Sequence, residues 1–146
     1  QNQIYYYFIR CSDNDLGSNI DGYASGFSSP ETGWLENYVT MNITLFLEGC
    51  FNGNLMSTHL NSAGYLPIFQ PFNTAPWNYS GLESVSVIPN DDLVDWILIE
   101  VRSTGGYAPT ATESTSIARY ALFLKNDGQI TALNGNSFPL FKYTYI

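Results

Sequence analysis

Basic charge is the scarcest property of this sequence: five Lys and Arg residues, at positions 10, 102, 119, 125 and 142, stand against 13 Asp and Glu, for a formal net charge of −8. They form no stripe that would neutralise a phosphate backbone, so nucleic acid and anionic membranes are poor partners. Histidine is reduced to His59, and neither an HExxH nor a GxSxG pattern occurs, which removes the usual zinc-protease and serine-hydrolase constellations. Two cysteines and one histidine supply no zinc ligand set at a usual spacing. No run approaches the roughly 20 apolar residues that cross a bilayer as a helix. No charged segment precedes the apolar N-terminal stretch as it would in a signal peptide, so the sequence reads as mature, whether cleaved after a leader or cut from something longer, and without a membrane span.

Aromatics are plentiful instead. They reach 16%, with 11 Tyr and 9 Phe, while charged residues hold only 12%, the balance of a β-rich extracellular protein. A length of 146 residues without a composition break predicts one domain over residues 1–146. The N-terminus is the most unusual segment: Ile4, Tyr5, Tyr6, Tyr7, Phe8 and Ile9 are consecutive β-formers with no polar alternation, so both faces of that strand need cover. Such a strand is either central to the chain's own sheet or lent to the sheet edge of a neighbouring copy, and residues 1–10 are the candidate donated strand.

Further along, residues 12–37 are rich in Gly, Ser, Asn and Asp and predict a long connection, with turns at Leu16-Gly17 and Asp21-Gly22. Residues 40–48 predict a half-buried strand with Met41, Ile43, Leu45 and Leu47 on one face. Residues 51–80, which hold Pro67, Pro71 and Pro76, predict irregular structure with a single helical turn at 55–60. Residues 92–102 predict the central strand and 117–124 its neighbour; Asn126-Asp127-Gly128 is a hairpin turn, 129–133 pair back, and 139–146 form a last strand. About seven or more short strands with turn-rich links predict an all-β fold, an antiparallel β-sandwich of immunoglobulin-like or jelly-roll-like type.

Chemistry is thin on this frame. His59, in Ser57-Thr58-His59, suits a surface or capping role. Glu48, Glu83, Asp95 and Glu100 are carboxylates on or near strands, as a glycosidase needs, but nothing in their spacing pairs them, and Asp95 and Glu100 flank an apolar strand as strand-end charges do. No enzyme and no cofactor are expected. Ser12-Asp13-Asn14-Asp15-Leu16-Gly17 and Asn90-Asp91-Asp92 carry oxygens that suit Ca²⁺, yet they lack the offsets of an EF-hand loop and read first as Asx turns. Trp34, Trp77 and Tyr79 would make a sugar-stacking platform if presented on loops, although the prolines near Trp77 favour packing. Asn42-Ile43-Thr44 and Asn78-Tyr79-Ser80 match the N-glycosylation pattern. In an oxidising compartment Cys11 and Cys50 would close a loop of about 40 residues, contributing about 3–4 kcal/mol; two reduced, buried thiols are the alternative.

Several motifs, taken in order, carry a resemblance. They are Asn42-Ile43-Thr44-Leu45-Phe46-Leu47-Glu48-Gly49, Met56-Ser57-Thr58, Gly64-Tyr65-Leu66-Pro67, Gln70-Pro71-Phe72, Pro76-Trp77-Asn78-Tyr79-Ser80-Gly81, Val94 to Arg102 and Ala121 to Gly128. Over about residues 40–135 the chain resembles a β-rich module of large secreted and surface proteins of Bacteroidetes-type bacteria. The resemblance implies an extracellular accessory or structural domain without catalytic residues. In that pattern another strand follows the Asp-Gly hairpin; residues 2–16 here look similar to it, displaced to the front, so the order is permuted.

The expected function is therefore an extracellular, cell-surface structural subunit that assembles with copies of itself, head to tail, into a filament by donor-strand exchange through Ile4 to Ile9. A carbohydrate-binding or adhesive module, using Trp34, Trp77 and Tyr79 on surface glycans, is the alternative.

Overall fold

The computed structural model describes residues 6–9, 38–104 and 108–142. Among these the chain forms six strands, β1 (Tyr6–Ile9), β2 (Tyr38–Thr40), β3 (Leu93–Arg102), β4 (Ser116–Lys125), β5 (Ile130–Thr131) and β6 (Leu140–Lys142). One α-helical turn, α1 (His59–Ser62), and three 3₁₀ turns, the first at Glu48–Cys50, complete the regular structure. All pairing is antiparallel: a four-stranded sheet runs β1-β3-β4-β5, and β2 pairs with β6.

The frame is the β3–β4 pair. Both are ten-residue strands without Gly or Pro, and they match along nearly their full length from Leu93↔Lys125 to Arg102↔Ser116, with register shifts near Val94 and Ile117. Each face of the pair buries an apolar layer under a cover. Ile97, Ile99, Val101, Leu122 and Leu124 pack under Met41, Ile43, Leu45, Leu47, Met56, Ile130 and Phe141. Trp96, Leu98, Ala121 and Phe123 pack under Leu66 and Phe72, flanked by Trp77, Tyr79, Val85, Ile88 and Leu133. A strand covered on both faces has no reason to alternate, which is why residues 96–99 are continuously apolar.

The first cover is the segment read as a strand at 40–48. Its alternation is as expected, with Met41, Ile43, Leu45 and Leu47 buried and Asn42, Thr44, Phe46 and Glu48 exposed. Its hydrogen bonding is divided, however. Only Tyr38–Thr40 ladders with β6, whereas Leu45 N–H donates to the Gly128 carbonyl (2.8 Å) and Ile130 N–H to that of Ile43 (3.1 Å). Serving two partners leaves an extended segment with one isolated bridge, Thr44↔Gln129, in place of a single long strand.

Two other boundaries shift. The helical turn expected at 55–60 lies at His59–Ser62, because the Asn52 side-chain oxygen takes the N–H groups of Asn54 and Leu55 and closes an Asx turn there. The stretch after the Asp127-Gly128 turn pairs only at Ile130 and Thr131, since the chain turns again at Gly135. The 12–37 connection, Cys11, Trp34 and residues 143–146 lie outside the described residues.

Candidate functional site

The N-terminal strand meets the sheet at the far end of β3. β1 pairs Tyr6↔Arg102, Tyr7↔Val101, Phe8↔Glu100 and Ile9↔Ile99, so it forms the sheet's edge beside residues of alternating character. Ile99 and Val101 are buried in the first core layer. Glu100 and Arg102 point to the opposite face and form an ion pair with each other. Of the expected assembly residues, Tyr6 to Ile9 are thus placed on β3 of the same chain, and Ile4 and Tyr5 lie outside the described residues. Along Leu93 to Leu98 no strand is described on this edge, and the N–H of Trp96 is taken instead by the Asp95 side chain at 2.7 Å.

Around Glu100 a polar cluster forms that motif reasoning missed. Arg119 lies opposite Glu100 on β4; its Nε donates to Glu100 Oε2 at 2.6 Å and its Nη1 to the Trp77 carbonyl at 3.2 Å. The Tyr79 hydroxyl donates to Glu83 Oε1 and lies 3.1 Å from the Arg119 carbonyl, and the Ala121 N–H donates to the same Glu83 oxygen at 3.2 Å. Glu83 Oε2 is buried and has no hydrogen-bond partner among the described residues. Gly81 roofs this contact: a Cβ there would overlap the Tyr79 ring and the Glu83 carboxylate. The buried Gln70 amide holds the two arms together, donating to the Gly81 carbonyl at 2.8 Å and accepting from the Phe72 N–H at 2.6 Å. The i, i+2 spacing of Glu100 and Arg102 on a strand was the one sequence signal for the cluster. Tyr79, Glu83 and Gln70 come from irregular segments, where periodicity carries no information.

The cluster ties β3 and β4 to the segment 77–83. Burial, and then the adjoining Glu83 carboxylate, push the Tyr79 phenol far above its ordinary range, so it remains a protonated donor. Glu100 spends both oxygens on guanidiniums. Of the four carboxylates considered for hydrolysis, Glu83 and Glu100 are brought to this cluster, while Glu48 is exposed in a 3₁₀ turn and Asp95 sits at the β3 bulge. Burial raises the Asp95 carboxyl above its ordinary value.

Trp77 and Tyr79 are half-buried against the second core layer, with Trp77 edge-on to Phe72 at 5.6 Å between ring centroids. His59 is exposed at the start of α1, and its backbone N–H donates to the Ser57 hydroxyl at 3.3 Å. Asn90 makes the expected Asx turn, accepting from the Asp92 N–H at 3.1 Å, and its amide also reaches the Gly135 carbonyl at 2.9 Å. Among the described residues no group of three His, Cys, Asp or Glu is placed to hold a metal ion, and no helix is long and apolar enough to cross a membrane. Cys50, half-buried after the first cover segment, packs against the first core layer; the disulfide reading also needs Cys11, which lies outside the described residues. No protein-family model, curated protein or solved structure matches this chain.

Proposed function

We propose that this chain is an extracellular, non-enzymatic structural subunit of β-sandwich type that joins copies head to tail by lending β1 to the β3 edge of a neighbour. The observation that carries the reading is the position of β1: a four-residue strand, separated in sequence from β2 by residues 10–37, that pairs at the sheet's edge with the last four residues of β3. An edge contact made by a short segment on a long connection is the kind that exchanges between identical subunits, because the intermolecular contact reproduces the intramolecular one. The exchange does not close on itself when each copy gives to the next, so it propagates a filament.

The bacterial surface location rests on the module resemblance and on the Tyr- and Phe-rich, weakly charged composition. The sandwich rests on the first cover segment, whose buried alternate residues lie across the β3–β4 pair as a facing sheet would. The half-burial of Trp77 and the internal bonding of Tyr79 favour this reading over glycan stacking. Deleting residues 1–10 should leave a soluble subunit that forms no filaments in negative-stain images. Filaments of unchanged length after the deletion would remove the basis for strand donation.

A further inference from the structure

The cover over the second core layer is nearly devoid of charge. Between Glu48 and Asp91 the sequence holds a single Asp, Glu, Lys or Arg, namely Glu83, while the chain as a whole carries a net charge of −8. That one carboxylate is turned inward: Oε1 takes the Tyr79 hydroxyl and the Ala121 N–H, and Oε2 is buried. The outer surface of the cover is left without formal charge.

It is also apolar. Two short segments run antiparallel across it, with Phe69 opposite Ser84, the Gln70 N–H on the Glu83 carbonyl and the Val85 N–H on that of Ile68. Their inward residues, Leu66, Gln70 and Val85, meet the core side. Along these segments Leu82 is 92% exposed and Phe69 65%, and beyond the paired residues Tyr65 is 74% and Val87 70% exposed. Side chains so exposed present together on the order of 600 Å² of largely apolar surface.

We propose that this face is an interface that docks on the same face of a second copy about a two-fold axis. Charge selects the occupant. Copies of a strongly acidic chain repel one another wherever their carboxylates meet, and the segments of this cover turn no Asp, Glu, Lys or Arg outward. Area agrees: two such patches face to face bury on the order of 1,200 Å², the lower bound of stable interfaces. Tyr65 and Phe69 are of the aromatic type enriched at interface centres, and the charged residues depleted there are absent from the outward side. A self-facing contact closes as a pair and is independent of strand exchange, which the β3 edge would mediate elsewhere on the molecule.

The test is sedimentation of the full chain over a wide concentration range, in wild type, Leu82→Glu and Leu140→Glu. Leu82 and Leu140 are both exposed leucines, but Leu140 lies on β6, away from the cover. Wild type and Leu140→Glu should pair reversibly, and more tightly as added salt screens the net charge. Leu82→Glu should weaken pairing by about tenfold or more with an unchanged circular dichroism spectrum. The same comparison in a Tyr7→Pro background, which removes a backbone donor from β1, separates this contact from strand exchange: filament length falls and pairing stays. A wild type that is monomeric throughout, pairing indifferent to Leu82→Glu, or a monomer that binds neutral phosphatidylcholine vesicles through Leu82 would each overturn the proposal.

Discussion

Glu100 of β3 and Arg119 of β4 face each other across the central strand pair, and Arg119 Nε donates to Glu100 Oε2 at 2.6 Å. Their side chains are only 13% and 29% exposed, which separates them from ordinary surface pairs. Arg102 shares the same carboxylate, and Arg119 also holds the Trp77 carbonyl, so one acid joins β3, β4 and the second cover at the end where β1 docks. Replacing Glu100 by Gln should cost about 1–3 kcal/mol, between the values for exposed and buried pairs, because two guanidiniums lose their counter-charge. Urea unfolding of Glu100→Gln, Arg119→Met and the double variant checks this; a coupling energy indistinguishable from zero would show that the pair is idle.

A second prediction concerns Thr131. It is fully buried on β5 opposite Phe123, and its hydroxyl has no hydrogen-bond partner among the described residues. Thr131→Val keeps the shape and removes a stranded polar group, so stability should rise by about 1 kcal/mol. A loss of stability in thermal melts would mean that the hydroxyl is satisfied.

Two glycines provide an internal comparison. Gly53 and Gly128 have φ of +95° and +87°, so an alanine is conformationally strained at either. Only Gly128 is also crowded: a Cβ there would lie 2.9 Å from the Leu45 carbonyl oxygen, the Phe46 ring and the Thr44 methyl, whereas Gly53 opens on free space. Gly128→Ala should therefore destabilise by about 1 kcal/mol more than Gly53→Ala, the excess being the cost of overpacking the turn against the first cover. Equal losses by chemical denaturation would show that the turn yields.

How much of this was legible in the sequence depends on where each residue's partner lies. The central strand and its neighbour were readable because ten residues without Gly or Pro have few alternatives, and Asp127-Gly128 fixed the turn that follows β4. The burial of Met41, Ile43, Leu45 and Leu47 was readable as period two, but their division between β6 and the Gly128 turn was not, since pairing partners leave no local mark. The polar cluster was hidden for the same reason. Tyr79 meets Arg119 across 40 positions, and neither carries a motif. The uncharged cover could have been counted from the sequence; which of its faces points outward could not.

The last prediction follows from Asp95. Its carboxyl is raised above the ordinary value near 4 because burial penalises the charged form, an effect partly offset by the Trp96 N–H that it accepts at 2.7 Å. An acid whose folded pKa is raised binds its proton more tightly in the folded state. Its contribution is therefore fully present below the unfolded pKa and is lost as pH rises through the folded pKa. At neutral pH Asp95 costs stability, and that cost should shrink as pH falls from the raised folded pKa toward the unfolded value near 4. Asp95→Asn retains an oxygen for the Trp96 N–H without the charge. It should be the more stable protein at pH 7, and its advantage should narrow toward pH 4. Thermal melts of both chains at matched pH values give the difference directly, free of the other carboxylates, which the two share. An advantage that stays constant across this range would mean that Asp95 titrates as an ordinary surface acid and that the β3 bulge does not desolvate it.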